Sequence, residues 1–169
     1  TRRIIAPEDR VQPLIEAISA RLSKTVIGDP KSETTRMGAL VSNAQKRDVL
    51  EKVAILRQEA ERVYGNPDDF EVQGADSEKG AFLPPMLFHC ASPDSATRVH
   101  DTEAFGPVST IMGYRDVAHA VDLANKGQGS LVASVITRDP AVAREVTLGA
   151  GAFHGRLYFN NRDSMKEST

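Results

Sequence analysis

The chain has 169 residues, a mass of 18.3 kDa, 21 basic against 23 acidic side chains and a net charge of -2. That is about one domain's worth of sequence, enough to bury roughly two thirds of its unfolded surface without a disulfide or a metal. A composition of 40% hydrophobic and 26% charged residues excludes a disordered chain.

No run of about 18 apolar residues occurs and no apolar stretch stands at the start, so neither a membrane partner nor a secretory signal is expected, which points to the cytoplasm. A single cysteine rules out an internal disulfide framework, and no Cys and His spacing resembles a zinc site, so no metal is expected. The balanced charge lacks a basic block, which argues against nucleic acid. The chain opens on Thr1, runs directly into an apolar stretch and closes on a polar KEST run. A segment of a longer protein is therefore expected.

Arg3 to Ala6 (RIIA) reads as a strand stopped by Pro7. Val11, Leu14, Ile15, Ile18 and Leu22 then repeat at helical spacing, with Asp9 and Gln12 in the positions of a capping box and Pro13 at the edge of the first turn. Gly28, Asp29 and Pro30 make a turn. Ser42 is placed to cap a second helix running to about Val63, with Val49, Val53, Leu56 and Ala60 as its apolar stripe and Gly65, Asn66 and Pro67 as its stop.

Charges and glycines thicken from Asp68 to Pro85, where the short pieces FEV and AFL read as edge strands and residues 66 to 80 as a long loop. VSTIMGY from Val108 is a strand, the stretch Asp116 to Lys126 a capped helix stopped by Gly127, and LVASVIT a second strand. Asp139 caps a further helix with Pro140 at its first position, Gly149 closes it, and GRLYFN supplies a third strand. This alternation predicts parallel strands joined by right-handed crossovers, hence an α/β fold: a mostly parallel open sheet with flanking helices, read as a single domain over residues 1–169.

In such sheets ligands gather at strand ends, so polar residues beside strands come first. The richest segment is His100 to Tyr114, HDTEAFGPVSTIMGY. Glu103 offers a carboxylate acceptor and Phe105 an aromatic edge, while Gly106, free of dihedral restriction, and Pro107, with its fixed φ, hold the loop in one shape. The plainer alternative is a surface turn with Glu103 solvated and Phe105 plugging the core.

Taken in order, VIGDP (Val26 to Pro30), MGAL (Met37 to Leu40), FLPPML (Phe82 to Leu87), EAFGP (Glu103 to Pro107), LAN (Leu123 to Asn125) and GSLVASVITRD (Gly129 to Asp139) resemble the second half of the aldehyde dehydrogenase superfamily, over nearly the whole chain. FHG at Phe153 to Gly155 and the closing GRLYFNNRDSMKEST are most similar to the aldehyde dehydrogenase module of bacterial bifunctional phenylacetate-degradation proteins. The resemblance implies the portion of a catalytic domain in an enzyme that oxidises an aldehyde to a carboxylic acid, and the likeness to the phenylacetate module implies a CoA-linked semialdehyde as that aldehyde. It implies NAD or NADP as cofactor and a thiohemiacetal and thioester on a catalytic cysteine.

By the same resemblance Glu103 bonds the nicotinamide ribose hydroxyls and Phe105 packs beside the nicotinamide. These two are the candidate cofactor-binding residues. The family's nucleophilic cysteine precedes the RRI-type strand by a few residues and its dinucleotide-binding domain lies further upstream, so both are expected outside this chain, no residue here is assigned a catalytic role, and the segment alone is expected to be inactive. The intact protein is expected to be a homo-oligomer.

The remaining candidates read as structural. Cys90 has His89 as its neighbour, but adjacent strand residues point to opposite faces, so the pair is ill placed as nucleophile and base. His119 reads as a helix-surface residue, His100 as a satisfied structural histidine, and His154 lies in a turn with no assigned role. GQGS at Gly127 to Ser130 lacks a third glycine and follows a helix, so it is a helix stop and not a phosphate loop. Ser164 and Lys166 belong to a solvated tail. Two other readings stay open: a non-catalytic assembly module, and an acylating relative that passes the thioester to coenzyme A.

Overall fold

The computed structural model describes residues 1–161, and its contacts fall into two compact units, Thr1–Gly113 and the residues from Tyr114 onward. The first unit contains β1 (Arg3–Pro7), a 3-10 turn (Glu8–Arg10), α1 (Val11–Leu22), α2 (Asn43–Leu56), β2 (Glu61–Tyr64), β3 (Met86–Cys90), the short α3 (Arg98–Asp101) and β4 (Val108–Tyr114), the last residue of which begins the second unit. Its four strands lie in the order β1-β4-β3-β2. β3 and β4 are parallel, with Met86 opposite Val108 and Cys90 opposite Met112, whereas β2 runs antiparallel to β3 with Glu61 opposite His89.

β3 is the centre of this unit because its sequence, MLFHC, buries both faces. Leu87 joins Ile111 of β4, Ala6 of β1 and Val11 and Ile15 of α1 in one core cluster, fringed by Ile4, Leu14, Ile18, Val63 and Tyr64. The alternate residues Met86, Phe88 and Cys90 point the other way and are equally buried. Replacing Phe88, fully enclosed, by alanine is the kind of change that costs about 3–5 kcal/mol.

The second unit holds α4 (Val117–Lys126), β5 (Ala133–Ile136), α5 (Pro140–Ala150) and β6 (Leu157–Asn160). β5 and β6 pair in parallel across the α5 crossover, Ala133 opposite Leu157. Gly149 of α5 sits so close to α4 that a Cβ would lie 2.6 Å from the Val121 side chain, and Asn125 donates to the Gly149 carbonyl at 3.0 Å. The fold is α/β, as the sequence predicts, with parallel pairing at β3–β4 and β5–β6 and antiparallel pairing at β2–β3. Among the described residues no helix is long and apolar enough to cross a membrane.

The predicted caps form: Ser42 accepts from the Gln45 N–H, Asp116 from His119 and Asp139 from Ala141. Several expectations need correction. Asp9 caps nothing, because the chain passes from Pro7 into a 3-10 turn and α1 starts at Val11, where Gln12 bonds Glu16 instead. α2 stops at Leu56, and Glu61–Tyr64 is a strand rich in β-formers.

FEV and AFL are not strands; β3 lies just beyond them. β4 also belongs to a different sheet from β5 and β6, so the alternating pattern spans two sheets. α5 runs to Ala150, with Gly151 at its cap, one residue beyond the predicted stop at Gly149. Ser164 and Lys166 lie outside the described residues.

Candidate functional site

The loop Thr102–Pro107 joins α3 to β4 and so stands at the amino end of β4, which the rule of ligands at carboxyl ends does not locate. It is fixed at both ends. The Thr102 N–H bonds the Arg98 carbonyl, and Met86 of β3 donates to the Pro107 carbonyl at 2.8 Å. Gly106 closes two tight turns, donating to Ala104 O and accepting from Val108 N, each at 2.8 Å.

Its lack of a side chain matters for space rather than for dihedral freedom: Gly106 is not among the positive-φ residues, and a Cβ there would lie 2.8 Å from a methyl of Val49, which is completely buried in α2.

This loop presents Glu103 and Phe105 outward. Phe105 is 66% exposed and is no core plug, and the Glu103 side chain is 51% exposed with its Oε2 at 3.7 Å from Arg2 Nη1. Both line an open cleft of about 450 Å³, whose other walls are Asp48, Lys52 and Ile55 of α2 together with Asp101 and Thr102. The walls bring three carboxylates, Asp48, Asp101 and Glu103, and one ammonium, Lys52, together with the apolar side chains of Ile55 and Phe105; Lys52 pairs with Asp48 at 3.8 Å. A cleft of this kind offers acceptors for hydroxyl groups and an uncovered aromatic ring for a flat ligand.

A buried network backs the loop. His100 of α3 is 1% exposed, its Nε2 lies 2.9 Å from the Pro93 carbonyl and its Nδ1 3.1 Å from Arg3 Nη1. A guanidinium only donates and a carbonyl only accepts, so these contacts fit the neutral Nε2–H tautomer. Burial, reinforced by the neighbouring Arg2 charge and opposed by Asp101, lowers Arg3 to about 10, still protonated at neutral pH.

Glu59, just past α2, accepts from the backbone N–H groups of Thr97 at 3.0 Å and Val99 at 3.1 Å and thereby holds the start of α3. Desolvation alone would raise its carboxyl; the N–H bonds from Thr97, Val99 and Arg98 outweigh that and bring it below the ordinary value. Sequence reasoning missed Glu59, which it placed inside α2, and also Arg2, whose contact with Glu103 joins residues 2 and 103 and leaves no local signal.

None of the other candidates lines this cleft. Cys90 is buried in β3, and desolvation, with the Glu59 charge adding to it and a Ser92 N–H bond opposing, pushes its thiol above the ordinary value, the reverse of what a nucleophile needs. His119 is buried, not on the helix surface, because its Nδ1 accepts from the Arg115 N–H at 3.2 Å and folds the ring over the start of α4. His154 Nδ1 lies 2.8 Å from Ser130 Oγ. GQGS is a helix stop: Gly127 caps α4, and Gly129 has φ +111° at a point where a Cβ would collide with the Phe153 carbonyl oxygen. Among the described residues no group of three His, Cys, Asp or Glu is arranged to hold a metal ion.

The model of the aldehyde dehydrogenase family matches residues 1–169. The chain is 44% identical over 156 residues to 3,4-dehydroadipyl-CoA semialdehyde dehydrogenase of Aromatoleum evansii, covering 92% of this chain and 30% of that protein. It is 44% identical over 134 residues to Protein MaoC of Klebsiella aerogenes, covering 79% of this chain and 38% of that one. Among solved structures, a mutant of aldehyde dehydrogenase C from Pseudomonas syringae in complex with NAD+ and octanal superposes with a TM-score of 0.79 at 30% identity, over 94% of this chain and 31% of the other. The chain thus spans about a third of the length of the relatives it matches. The match along the full sequence, together with the fold, shows that the chain belongs to the aldehyde dehydrogenase family.

Proposed function

We propose that this chain supplies the nicotinamide-riboside side of an NAD- or NADP-dependent aldehyde dehydrogenase whose nucleophile and dinucleotide-binding domain lie outside these residues. The observation that carries the reading is the pairing, on one rigid loop, of a half-exposed carboxylate at Glu103 with an uncovered ring at Phe105, both facing the same cleft. A ribose diol presents two hydroxyl donors to such a carboxylate, and a nicotinamide ring matches an exposed aromatic face, so the residues fit the group. A dinucleotide held there would supply the hydride acceptor. Glu103 and Phe105 orient it and break no bond.

The CoA-linked semialdehyde named for the Aromatoleum evansii relative supports a substrate of that class for the whole enzyme. Water as the final acceptor gives a carboxylic acid.

The test is Glu103→Gln in the enzyme that carries this segment. Trading a charged acceptor for a neutral one weakens a charge-assisted hydrogen bond, so the KM for the dinucleotide should rise about tenfold. An unchanged KM would end this reading. Product analysis with a CoA-linked semialdehyde separates free acid from an acyl-CoA product.

A further inference from the structure

Two side chains outside the loop grip it from separate elements. Arg2, the residue before β1, donates from Nη2 to the His100 carbonyl at 3.1 Å and turns Nη1 toward the Glu103 carboxylate at 3.7 Å. Its own backbone is pinned, since its carbonyl accepts from Thr110 of β4 at 2.9 Å, and its side chain is only 25% exposed.

Gln45, in the first turn of α2, donates from Nε2 to the Phe105 carbonyl at 2.6 Å, while its Oε1 accepts from the Val41 N–H at 3.2 Å. Both ends of the amide are therefore committed: turning it over would set an NH2 against the Val41 N–H and an oxygen against the Phe105 carbonyl. Ser42, accepting from the Gln45 N–H at 3.1 Å, fixes the backbone from which Gln45 reaches.

We infer that Arg2 and Gln45 are positioning residues for cofactor binding, Arg2 aiming the Glu103 carboxylate and Gln45 fixing the backbone of Phe105. The inference rests on the proposed role of that loop. A carboxylate on a flexible stem and a ring on a loop each lose freedom when a ligand fixes them, and a protein that holds them in advance binds the ligand more tightly without adding a contact to it. An ion pair as exposed as this one does little for folding, so its effect belongs to ligand affinity.

The experiment measures dinucleotide KM, kcat at saturating cofactor and thermal melting for Arg2→Gln, Arg2→Lys, Gln45→Glu and Gln45→Met, beside Glu103→Gln, in the enzyme that carries this segment. Arg2→Gln and both Gln45 variants should raise the dinucleotide KM about fivefold, with the change in KM exceeding that in kcat and melting held near the parent. Arg2→Lys, which keeps the cation, should recover most of the loss. Adding Arg2→Gln to Glu103→Gln should cost little further, because Arg2 acts through that carboxylate.

If Glu103→Gln raises KM while the Arg2 and Gln45 variants do not, the positioning role is refuted and the cofactor reading stands. If Glu103→Gln has no effect, the cofactor reading itself fails. Losses in melting and kcat without a selective rise in KM reduce both residues to structural ones and overturn the inference.

Discussion

At the scale of single residues, the loop depends on where a side chain is missing as much as on where one is present. Gly106 approaches Val49 so closely that a methyl would fall at 2.8 and 3.0 Å from its two branches, and Val49 has no exposed surface into which to retreat. Gly106→Ala should therefore push the loop off α2 and cost about 1–3 kcal/mol, read as a lowered urea midpoint. The displaced loop should also bind dinucleotide more weakly. An alanine variant as stable as the parent would show that the loop rides on α2 more loosely than its geometry states. The sequence marks Gly106 as special yet for the wrong reason, since dihedral freedom can be read from a glycine and the proximity of residue 49 cannot.

At the scale of elements, α3 is too short to hold itself, and Glu59 holds it from outside. Its carboxylate receives the first N–H groups of a four-residue helix that leads straight into Thr102 and Glu103. Glu59→Ala should cost roughly 1 kcal/mol at neutral pH, as the loss of a helix cap does.

The folded carboxyl titrates below its ordinary value of 4.5, so the charged form favours the fold: the contribution is whole above that value and fades as pH falls through the lower folded value. Denaturant melts of parent and variant should differ at pH 7 and converge as the pH falls through the lowered folded value. A gap that persists in acid would contradict a charged cap.

This element also explains what the sequence conceals. Ala60 continues the helical stripe of Val49, Val53 and Leu56, so periodicity alone extends α2 beyond Leu56, whereas Glu59 bonds α3 and Arg62 to Tyr64 pair with β3. β3 is only half legible: His89 and Cys90 read as neighbours on a strand, but its start at Met86 to Phe88, an apolar run after two prolines, carries no alternation because both its faces are buried. The capped elements after Val108 are legible almost to the residue, since strand period, Asp cap and glycine stop all agree there.

At the scale of the whole chain, apolar surface is divided unevenly between the two units. The first builds its core on α1 and the sheet, whereas in the second, among the described residues, only His119, Leu123 and Ala150 are buried. Leu131, Ile136 and Leu148 of that unit stand 89%, 76% and 72% exposed, and its sheet has two strands, each with an edge open among the described residues. A two-stranded sheet is marginal in water without a covered face, and unpaired edges beside exposed leucine and isoleucine favour association.

The 169-residue chain should therefore self-associate as its concentration rises, weakly dependent on salt because the surface involved is apolar. Ile136→Lys and Leu148→Lys should shift the distribution toward monomer by placing charge on that surface. Sedimentation velocity over a concentration series reads this directly, and a single monomeric boundary for the parent at every concentration would show that the second unit satisfies its apolar surface by itself.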